Sequence, residues 1–284
     1  MKFTGASLIT AVLTICASLS VKASDIGTPK SVTYDGGIVM TGLVNIYFIF
    51  YGNWQDEHQV QLMDFVDSLS NTAWFNTLRL YNDRLGNNVT GPLYFAAAIN
   101  DNYSHGRSLQ GNATHIDIIE KAIESAYLGK GTDHAGIYFI LAAEDVDEEG
   151  LCTKWCAYNS YTSDFVYAFI GHPNKCPQLC IPELNRNVSP NGDPALDATV
   201  NMIAHELVEL MTDPHNDAWR VGNSTASEEI SEWCMPPNAT PEEWFGPNVQ
   251  KLDSGASWNL QVNDTKWLIQ SVWNPVAKKC VMSS

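Results

Sequence analysis

The sequence predicts an α/β protein with a mixed, mostly parallel sheet that is stabilised by disulfide bonds. Three short runs are almost entirely apolar and strand-forming, as expected of strands buried on both faces: Val44–Tyr51 ("VNIYFIFY"), Gly136–Ala142 ("GIYFILA") and residues 165–170 ("FVYAFI"). Stretches with helical periodicity lie between them, and strands that alternate with helices are typical of parallel sheets. Paired cysteines in the second half of the chain predict the disulfide bonds.

The remaining elements follow from periodicity and from Gly/Pro signals. Residues 55–69 repeat apolar side chains at helical spacing, and a second helix is predicted at about 116–126, with Thr114 and Asp117 available as cap residues. Gly91-Pro92 introduces a strand at 93–99. Beyond Pro214 the chain is rich in Trp, Pro and Gly, and its last clear strand is predicted at 267–273.

The N-terminal segment predicts export. Lys2 is followed by the apolar run 7–20, which is too short to span a bilayer, and by the small-x-small pattern Val21-Lys22-Ala23. We therefore predict a signal peptide at residues 1–23 and a single domain at 24–284. No later run predicts a membrane span, so the mature protein is expected to be secreted.

Charge and sequence motifs agree with an extracellular role. Removal of Lys2 and Lys22 with the signal takes the formal net charge from −16 to −18, which repels phosphate backbones and excludes a nucleic-acid partner. Asn-x-Ser/Thr sequons behind a signal peptide predict a glycoprotein that carries glycans on surface loops. They begin at Asn88, Asn102, Asn112, Asn187, Asn223, Asn238 and Asn263.

Six cysteines remain after the signal, at 152, 156, 176, 180, 234 and 280. An even number in an oxidising compartment predicts three disulfide bonds, and spacing alone leaves all fifteen pairings open. The two C-x-x-x-C clusters could instead hold zinc with four thiolates. The acidic run "DVDEEG" (145–150) is interpreted as a solvated loop in preference to a calcium site.

The stretch "AHELVELMTD" (204–213) is the strongest candidate for a functional site. Asp193 is a suitable N-cap, Pro194 a suitable first helical residue, and Pro214 follows the end of the predicted helix. At 100° per residue, one face is apolar and the opposite face carries polar side chains. The apolar positions are Leu196, Val200, Ile203, Leu207, Leu210 and Met211; the polar ones are His205, Glu206, Glu209 and Asp213.

His205 and Glu209 are four residues apart, so their side chains are neighbours on one helix face and can share a metal ion. Both residue types are common zinc ligands, and Glu206 beside them could act as a general base. A second acidic cluster, "SEEISE" (227–232), could supply a third ligand from Glu228 or Glu229. The alternative is an ordinary solvated polar face. For Asp213 we consider two roles, orienting a ligand or bonding to loop backbone.

"HELVELMTD…EEISE" resembles the HELxH…E pattern of thermolysin-like gluzincins, matched at His205, Glu206 and either Glu228 or Glu229, and departs from it at Glu209, where that family has histidine. The resemblance implies a zincin-like fold whose active-site-type helix follows a run of strands, with zinc as the cofactor. Two carboxylate ligands offset most of the charge of Zn²⁺, so its bound water should be less acidic. Calcium or manganese therefore becomes a competitor.

A longer resemblance covers nearly the whole mature chain. "YDGGIVMTGLVNIYFIFYGNW" (34–54) resembles the opening of the phosphate-induced protein 1, or EXORDIUM, family. Its later segments match in order: "CTKWCAY", "FIGHPNKCPQLC", "SPNGDPALDATVNMIAHELVELMTDPHNDAW", "EEISEWC" and "WLIQSVWNPVAKKCV". The resemblance implies a secreted or cell-wall protein linked to growth regulation, without an established reaction.

By this matching, Glu229 is a better candidate than Glu228 for the third ligand. Glu232 would contact the ligands without binding the metal itself. Cys234 would form a disulfide bond with Cys280. The residues and the family resemblance together leave two candidate functions for the protein. One is a metal-dependent, peptidase-like hydrolase with His205, Glu209 and Glu229 as ligands and Glu206 as base. The other is a non-catalytic signalling protein of the extracellular space or cell wall. The partner is an unknown extracellular protein, peptide or glycan, the last held on exposed Trp.

Overall fold

The computed structural model describes residues 31–129, 131–222, 229–235 and 239–283. The predicted signal peptide, Glu228 and the sequon residues Asn223 and Asn238 lie outside these ranges. The helices of the described chain are α1 Asp56–Leu69, α2 Phe75–Leu78, α3 Asn112–Glu124, α4 Pro177–Cys180, α5 Pro194–Thr212, α6 Ile230–Trp233 and α7 Pro241–Phe245. Two 3₁₀ turns span Pro173–Lys175 and Glu183–Asn185.

Short strands surround one central sheet. The strands of the described chain are β1 Val32–Tyr34, β2 Val44–Tyr51, β3 Leu93–Asp101, β4 Ser108–Leu109, β5 Gly136–Ala142, β6 Asp147–Glu148, β7 Ala157–Tyr161, β8 Val166–Ile170, β9 Trp219–Val221, β10 Gln250–Lys251, β11 Ser257–Trp258, β12 Leu260–Val262, β13 Thr265–Trp267, β14 Val272–Asn274 and β15 Lys279–Val281.

The central sheet has five strands in the order β3-β2-β5-β8-β7. Strand β2 pairs in parallel with β3 and with β5, β5 pairs in parallel with β8, and β7 is an antiparallel edge strand beside β8. The other described pairs are two-stranded, and all but β4–β6 are antiparallel. The predicted mixed α/β architecture is confirmed. Over all described pairs antiparallel pairing is at least as common as parallel, so "mixed" is the accurate description.

Helices cover the two faces of this sheet. Helices α1 and α5 pack on one face, where Phe48, Phe139 and Leu207 belong to the same buried cluster. Helix α3 packs on the other face, where Ile118 lies in a cluster with Ile140. Successive residues of a strand point to opposite faces, so buried runs such as "GIYFILA" supply both clusters at once. The central strands are therefore apolar without alternation.

Helix α5 matches its prediction closely. The Oδ1 atom of its N-cap, Asp193, accepts hydrogen bonds from the backbone N–H groups of Ala195 and Leu196, and Pro194 is the first helical residue. The helix continues to Thr212, ahead of Pro214. All six predicted apolar positions belong to the cluster on the α1/α5 face of the sheet. The sequence signals for this helix were local, and local signals were sufficient.

Two predicted elements were wrong in their extent. Helix α3 begins at Asn112, after Gly111 (φ +77°), so Thr114 and Asp117 lie inside it and do not cap it. Residues 267–273 are not one strand, because the backbone around Gln270 is bonded to side chains instead of to a neighbouring strand. The backbone N–H of Gln270 donates to Asn201 Oδ1 (2.8 Å), and Trp74 Nε1 donates to its carbonyl oxygen (2.8 Å).

The acidic run 145–150 is also not simply a solvated loop. Glu148 is buried on the α3 side of the sheet, and its Oε2 lies 3.1 Å from Nε2 of the buried His115. Nδ1 of His115 lies 2.6 Å from the Tyr158 hydroxyl, and its ring stacks on Phe169 at 4.4 Å between centroids. A carboxylate with a histidine partner can be buried at lower cost than an isolated one. This network joins β6, α3 and β7.

The six cysteines form three disulfide bonds, as predicted, and the four-thiolate zinc site is wrong. Cys152 bonds to Cys176, Cys156 to Cys180, and Cys234 to Cys280. The last of these pairs is the one implied by the family resemblance. The first two cross-link the segment before β7 to the segment that follows β8 and contains α4. They therefore tie the start of the edge strand β7 to the segment that follows β8.

Candidate metal centre

Helix α5 presents His205, Glu206 and Glu209 toward the edge strand β7 and the α6 segment, and this polar face is itself buried. The side chain of His205 is 12% exposed and that of Glu209 only 2%. Glu206 is buried as well. The alternative of an ordinary solvated helix face is therefore wrong. Buried ionisable groups require partners or a bound ion, because desolvation strongly disfavours their charged forms.

The acidic segment 229–232 lies against this face of α5. Nε2 of His205 is 3.1 Å from Glu209 Oε1 and 3.1 Å from Glu232 Oε1. The hydroxyl of Ser231 donates to the carbonyl oxygen of His205 at 3.2 Å, which fixes α6 to α5 through the backbone. Cys234, the residue after α6, is anchored to Cys280. Glu232, expected only to support the ligands, thus contacts His205 directly.

Gln270 fixes the orientation of the His205 ring. Its Oε1 lies 2.8 Å from His205 Nδ1, and its own backbone N–H is held by Asn201. Because a carbonyl oxygen can only accept, Nδ1 carries a hydrogen in this arrangement. The other ring nitrogen, Nε2, then faces the two carboxylates. In the neutral ring its lone pair is available to a cation, and a proton at Nε2 fills the same place when no metal is bound.

Asn159 on the edge strand β7 connects three of the glutamates. Its Nδ2 donates to Glu209 Oε2 (2.7 Å) and Glu206 Oε2 (3.1 Å), and Glu229 Oε2 lies 3.5 Å away. An amide group has two hydrogens, so it can satisfy only the two nearer oxygens fully. Sequence reasoning missed Asn159 and Gln270. Neither belongs to a spaced motif; Gln270 lies in the family segment "WLIQSVWNPVAKKCV", whereas Asn159 directly follows the segment "CTKWCAY".

Burial, and after it the crowding of charged groups, determines the acid–base state of the site. Burial raises the pKa of Glu206 to about 7 and, together with the charge of Glu232, that of Glu229 to about 8. Burial also raises the pKa of Glu209 well above its usual value. Burial acts to lower the pKa of His205, but Glu209 and Glu232 outweigh it and raise that pKa well above normal.

Glu232 is the exception among the carboxyl groups. Burial acts to raise its pKa, but the hydrogen bond and the charge of His205 lower it to about 2. Its side chain is 42% exposed as a whole, but its Oε2 atom is buried, so the contact with His205 is what stabilises its charged form. Without a metal, the site therefore resembles a His205⁺–Glu232⁻ pair next to carboxyl groups that retain protons.

Two buried oxygens at this site, Glu229 Oε1 and Glu232 Oε2, have no hydrogen-bond partner among the described residues. Glu209 Oε1 has its ion-pair contact with His205. Two sets of three side chains place potential ligand atoms within 4.8 Å of one another. One is His205, Glu206 and Glu209, and the other is Glu209, Glu229 and Glu232. Glu209 belongs to both sets, whereas the predicted ligands His205 and Glu229 belong to different ones. Imidazole and carboxylate donors with unused lone pairs fit a divalent cation.

Asp213 has the second of its two suggested roles. Its Oδ1 accepts hydrogen bonds from the backbone N–H groups of Asp217 and Ala218, each at 2.7 Å. It therefore orders the loop that follows α5 and is not part of either set of potential ligands. Burial raises its pKa to about 6.

Comparison with known proteins decides the family. The model of the phosphate-induced protein 1 conserved region matches residues 32–283. This chain belongs to the phosphate-induced protein 1 family. Protein EXORDIUM-like 3 of Arabidopsis thaliana is 31% identical over 279 residues, which cover 87% of this chain and 81% of the relative.

Two further relatives extend the comparison. Protein EXORDIUM-like 5 of Arabidopsis thaliana is 30% identical, with 86% of this chain and 75% of the relative covered. Protein PHOSPHATE-INDUCED 1 of Nicotiana tabacum is 24% identical, with 87% and 86% covered. No solved structure matches this phosphate-induced protein 1 family member. Family membership and the disulfides are compatible with an extracellular protein, and no helix within the described ranges is long and apolar enough to cross a membrane.

A cavity of about 390 Å³ opens beside the centre of this family member. His205, Glu206 and Glu232 form its polar end. The rest is largely apolar, with walls that include Trp155, Leu179, Met202, Met235 and Trp244. The disulfide-bonded Cys156 and Cys180 also line it, so the cross-linked segments described above form one wall. Such a cavity suits an apolar group that is attached to a polar reacting centre.

The metal-free protein should lose stability as pH rises from about 5 to 8. An unfolded glutamate titrates near pH 4.3, whereas Glu206 and Glu229 in the fold have pKa values of about 7 and 8. Over this window the folded state binds more protons than the unfolded state. The resulting contribution to the free energy of unfolding is complete below the pKa of an unfolded glutamate and is lost as pH rises through the pKa values of the folded state. The raised pKa of His205 acts in the same direction.

Thermal unfolding in the presence of a chelator measures this effect. We expect the free energy of unfolding to fall by on the order of 2 kcal/mol, and Tm by roughly 5 °C, between about pH 5 and about pH 8. Glu229→Gln should flatten the profile, whereas Glu120→Gln, an exposed carboxylate on α3, should leave it unchanged. A Tm that is constant or rises with pH would show that these carboxyl groups are ionised in the metal-free fold.

Proposed function

We propose that this protein is a secreted glycoprotein that binds a divalent cation, zinc in the first place, between α5 and α6, and that it is a metal-dependent, peptidase-like hydrolase. One observation carries the proposal: Glu229 and Glu232 each bury a carboxylate oxygen that has no partner among the described residues, and Glu209 and Glu232 each place an oxygen 3.1 Å from Nε2 of an oriented histidine. Protons alone are a poor substitute for an ion here, since the pKa values of Glu206 and Glu229 are near neutrality.

His205, Glu209 and Glu229 are the proposed ligands. His205 and Glu209 come from adjacent turns of one helix, and Glu229 precedes α6, which Ser231 and the Cys234–Cys280 bond hold against α5. Glu232 is a possible fourth ligand, since it shares a compact set with Glu209 and Glu229. A ligand-bearing helix packed on a sheet, with a downstream acidic ligand, supports the proposal of a zincin-like arrangement.

Glu206 is the proposed general base. When bound, the cation would polarise a substrate carbonyl and acidify a water molecule. Glu206 lines the apolar cavity, and its pKa of about 7 suits proton transfer near neutral pH. Asn159 donates to its Oε2, which fixes that oxygen and leaves the other for a proton in transit. The apolar wall favours peptide-like substrates with a bulky apolar side chain.

The high proportion of carboxylates sets a limit on this chemistry. Each anionic ligand reduces the effective charge of the cation, so activation of water should be weaker than at a site with more histidine. Oxygen ligands also favour harder ions, which is why manganese and calcium remain competitors of zinc. We therefore expect slow turnover compared with histidine-rich zinc hydrolases.

Metal content is the direct test. The protein is secreted from a host that forms its disulfides, stripped with a chelator, and dialysed against ZnCl₂, MnCl₂ or CaCl₂ in turn. We expect about one zinc ion per chain by elemental analysis, with a Kd in the micromolar range or tighter by calorimetry. Glu209→Gln should reduce the content, and Glu120→Gln on the exposed surface of α3 should not. A protein that retains none of the three metals contradicts the proposal.

A second candidate is a non-catalytic extracellular signalling or cell-wall protein in which the same ion is structural. Asn159 and Ser231 already tie β7, α5 and α6 together at this point, and an ion shared by these elements would complete the tie. Stoichiometric metal without hydrolysis of any peptide would favour this candidate. The ion would then contribute to folding free energy, as structural metal sites do.

A further inference from the structure

A second, larger cavity lies at the carboxyl ends of the central parallel strands. It has a volume of about 610 Å³ and is separate from the candidate metal centre. Its lining residues are Asn53, Trp54, Gln55, His58, Ala143, Glu144, Asp145, His172, Asn174 and Asp193. Its lining includes Asn53 and Trp54, which follow Gly52 in the family segment "YGNW", and His172, which follows Gly171 in "FIGHPNKC". The hydrolase mechanism proposed above does not involve these residues.

The topology explains why a cavity forms here. Residues 53–58 follow β2, residues 143–145 follow β5, and residues 172–174 follow β8, and these three strands are parallel neighbours. The chain leaves β2 through α1 on one face to reach β3, and later passes through α3 on the other face to reach β5. Where consecutive connections take opposite faces, a crevice opens at the carboxyl ends of the strands, and ligands of α/β proteins bind in such crevices.

The polar groups of the cavity combine acceptors and donors. His58 Nε2 lies 3.5 Å from Asp193 Oδ2, and the side-chain amide of Asn174 donates to Glu144 Oε2 at 3.3 Å. Nδ1 of His172 accepts from the backbone N–H of Asn174, and burial lowers the pKa of His172, so this ring is neutral. The wall therefore offers carboxylates, amides and a neutral imidazole at short range.

Trp54 gives the cavity a flat apolar side. Its Nε1 donates to the carbonyl oxygen of Leu141 at 2.9 Å, which fixes the indole between the ends of β2 and β5. The ring is partly buried, and its centroid lies 5.8 Å from that of His172. An indole whose N–H is already bonded to the protein presents only its carbon face to a ligand.

Two classes of ligand do not fit this cavity: anions because of its charge, and metal ions because of the spacing of its side chains. The described lining residues include Glu144, Asp145 and Asp193 but no Lys or Arg. Arg107 pairs with Asp145 from outside the lining, which leaves Glu144 and Asp193 to repel phosphates and other anions. No three acidic or histidine side chains of this cavity lie close enough to share a metal ion, because the sets found in the described residues are both at α5. A neutral ligand with many hydroxyl groups fits what remains.

We propose that this cavity binds a neutral sugar residue. Carboxylates accept hydrogen bonds from adjacent hydroxyl groups, amides both donate and accept, and the Trp54 ring can pack on the C–H face of a pyranose. The site is independent of the metal centre: Asp193 precedes His205 by twelve residues, which is about 18 Å along a helix. A catalytic or structural role for the metal would leave it unaffected.

Ligand-observed saturation-transfer NMR on the enzymatically deglycosylated full chain tests this proposal. The probes are D-glucose, D-galactose, D-mannose, D-xylose and L-arabinose, each at about 1–10 mM, the range in which single sugars commonly bind. The double variant Glu144→Gln with Asn174→Ala replaces a carboxylate by an amide and truncates an amide side chain, both at exposed positions, so folding should be preserved. It should weaken binding of the positive sugar about tenfold or more, in line with the loss of charge-assisted hydrogen bonds.

The matched control is Glu120→Gln with Asn71→Ala, the same two changes at exposed positions away from the cavity, and it should bind as the parent does. His205→Ala should also retain the sugar signal, which separates this site from the metal centre. The proposal is overturned if none of the five sugars shows saturation transfer, or if the cavity variant binds as well as the parent. Displacement of the bound sugar by 1 mM sodium phosphate or CaCl₂ would likewise overturn the choice of a neutral ligand.

Discussion

Replacing His205 by alanine should lower zinc affinity by a hundredfold or more. His205 is the single nitrogen donor within the two described sets of potential ligands, and Gln270 orients its Nε2 toward Glu209 and Glu232. Loss of the imidazole leaves carboxylates alone, which are poorer partners for zinc than for calcium. Calorimetry with ZnCl₂, and with CaCl₂ in parallel, measures both effects.

A control variant should separate ligand loss from damage to the fold. His134→Ala removes an exposed histidine before β5, and it should bind zinc as the parent does. Gln270→Ala keeps the proposed ligand but releases its ring, and a tenfold or greater loss is expected of a group that orients a metal ligand. If His205→Ala binds zinc with unchanged affinity while remaining folded, the assignment of this centre is wrong.

Glu206→Gln should retain the metal and lose hydrolysis. The amide has nearly the same shape as the carboxyl group but cannot accept the proton of the attacking water, and general-base catalysis contributes about 10²–10⁴-fold. We therefore expect at least a hundredfold loss of kcat against a peptide library enriched in bulky apolar residues. Zinc content should stay near that of the parent, since Glu206 is not among the three proposed ligands.

The pH profile provides the second readout of this variant. In the parent, activity should increase with pH as the Glu206 carboxyl group, whose pKa in the metal-free fold is about 7, loses its proton. A bound cation lowers the pKa of Glu206, so the midpoint of the pH–activity profile should lie below 7 when zinc is present. Residual activity of Glu206→Gln should lack this limb. Activity equal to that of the parent would refute the base assignment and leave the structural role for the ion.

Periodic signals predicted the scaffold correctly where they were strong. The strands Val44–Tyr51 and Gly136–Ala142 have the predicted bounds, and α5 begins and ends where its cap and prolines indicated. Local signals failed at 267–273, where the backbone of Ile269 and Gln270 is hydrogen-bonded to the side chains of Asn259, Asn201 and Trp74. Edge strand β7 was missed because "AYNSY" has neither an apolar run nor a clear alternation.

Those residues of the candidate site that lie close together in the sequence were predictable, and those that lie far apart were not. His205, Glu206 and Glu209 lie within five residues of one helix, so spacing alone brings them together. Glu229 was chosen by resemblance, whereas the direct contact of Glu232 with His205 depends on the path of the chain between α5 and α6. Asn159 is 47 and 50 residues away from Glu206 and Glu209, and Gln270 is 65 residues away from His205. No spacing rule connects such distant groups.

The bond between Cys234 and Cys280 has a consequence for when this centre is built. The acidic segment is linked to strand β15, 46 residues further along the chain, so the bond can form only after that strand has been synthesised. Until both thiols are oxidised, α6 and its glutamates have only noncovalent contacts to keep them beside α5. We therefore expect the described arrangement of these carboxylates to be complete only where the chain has met an oxidising environment.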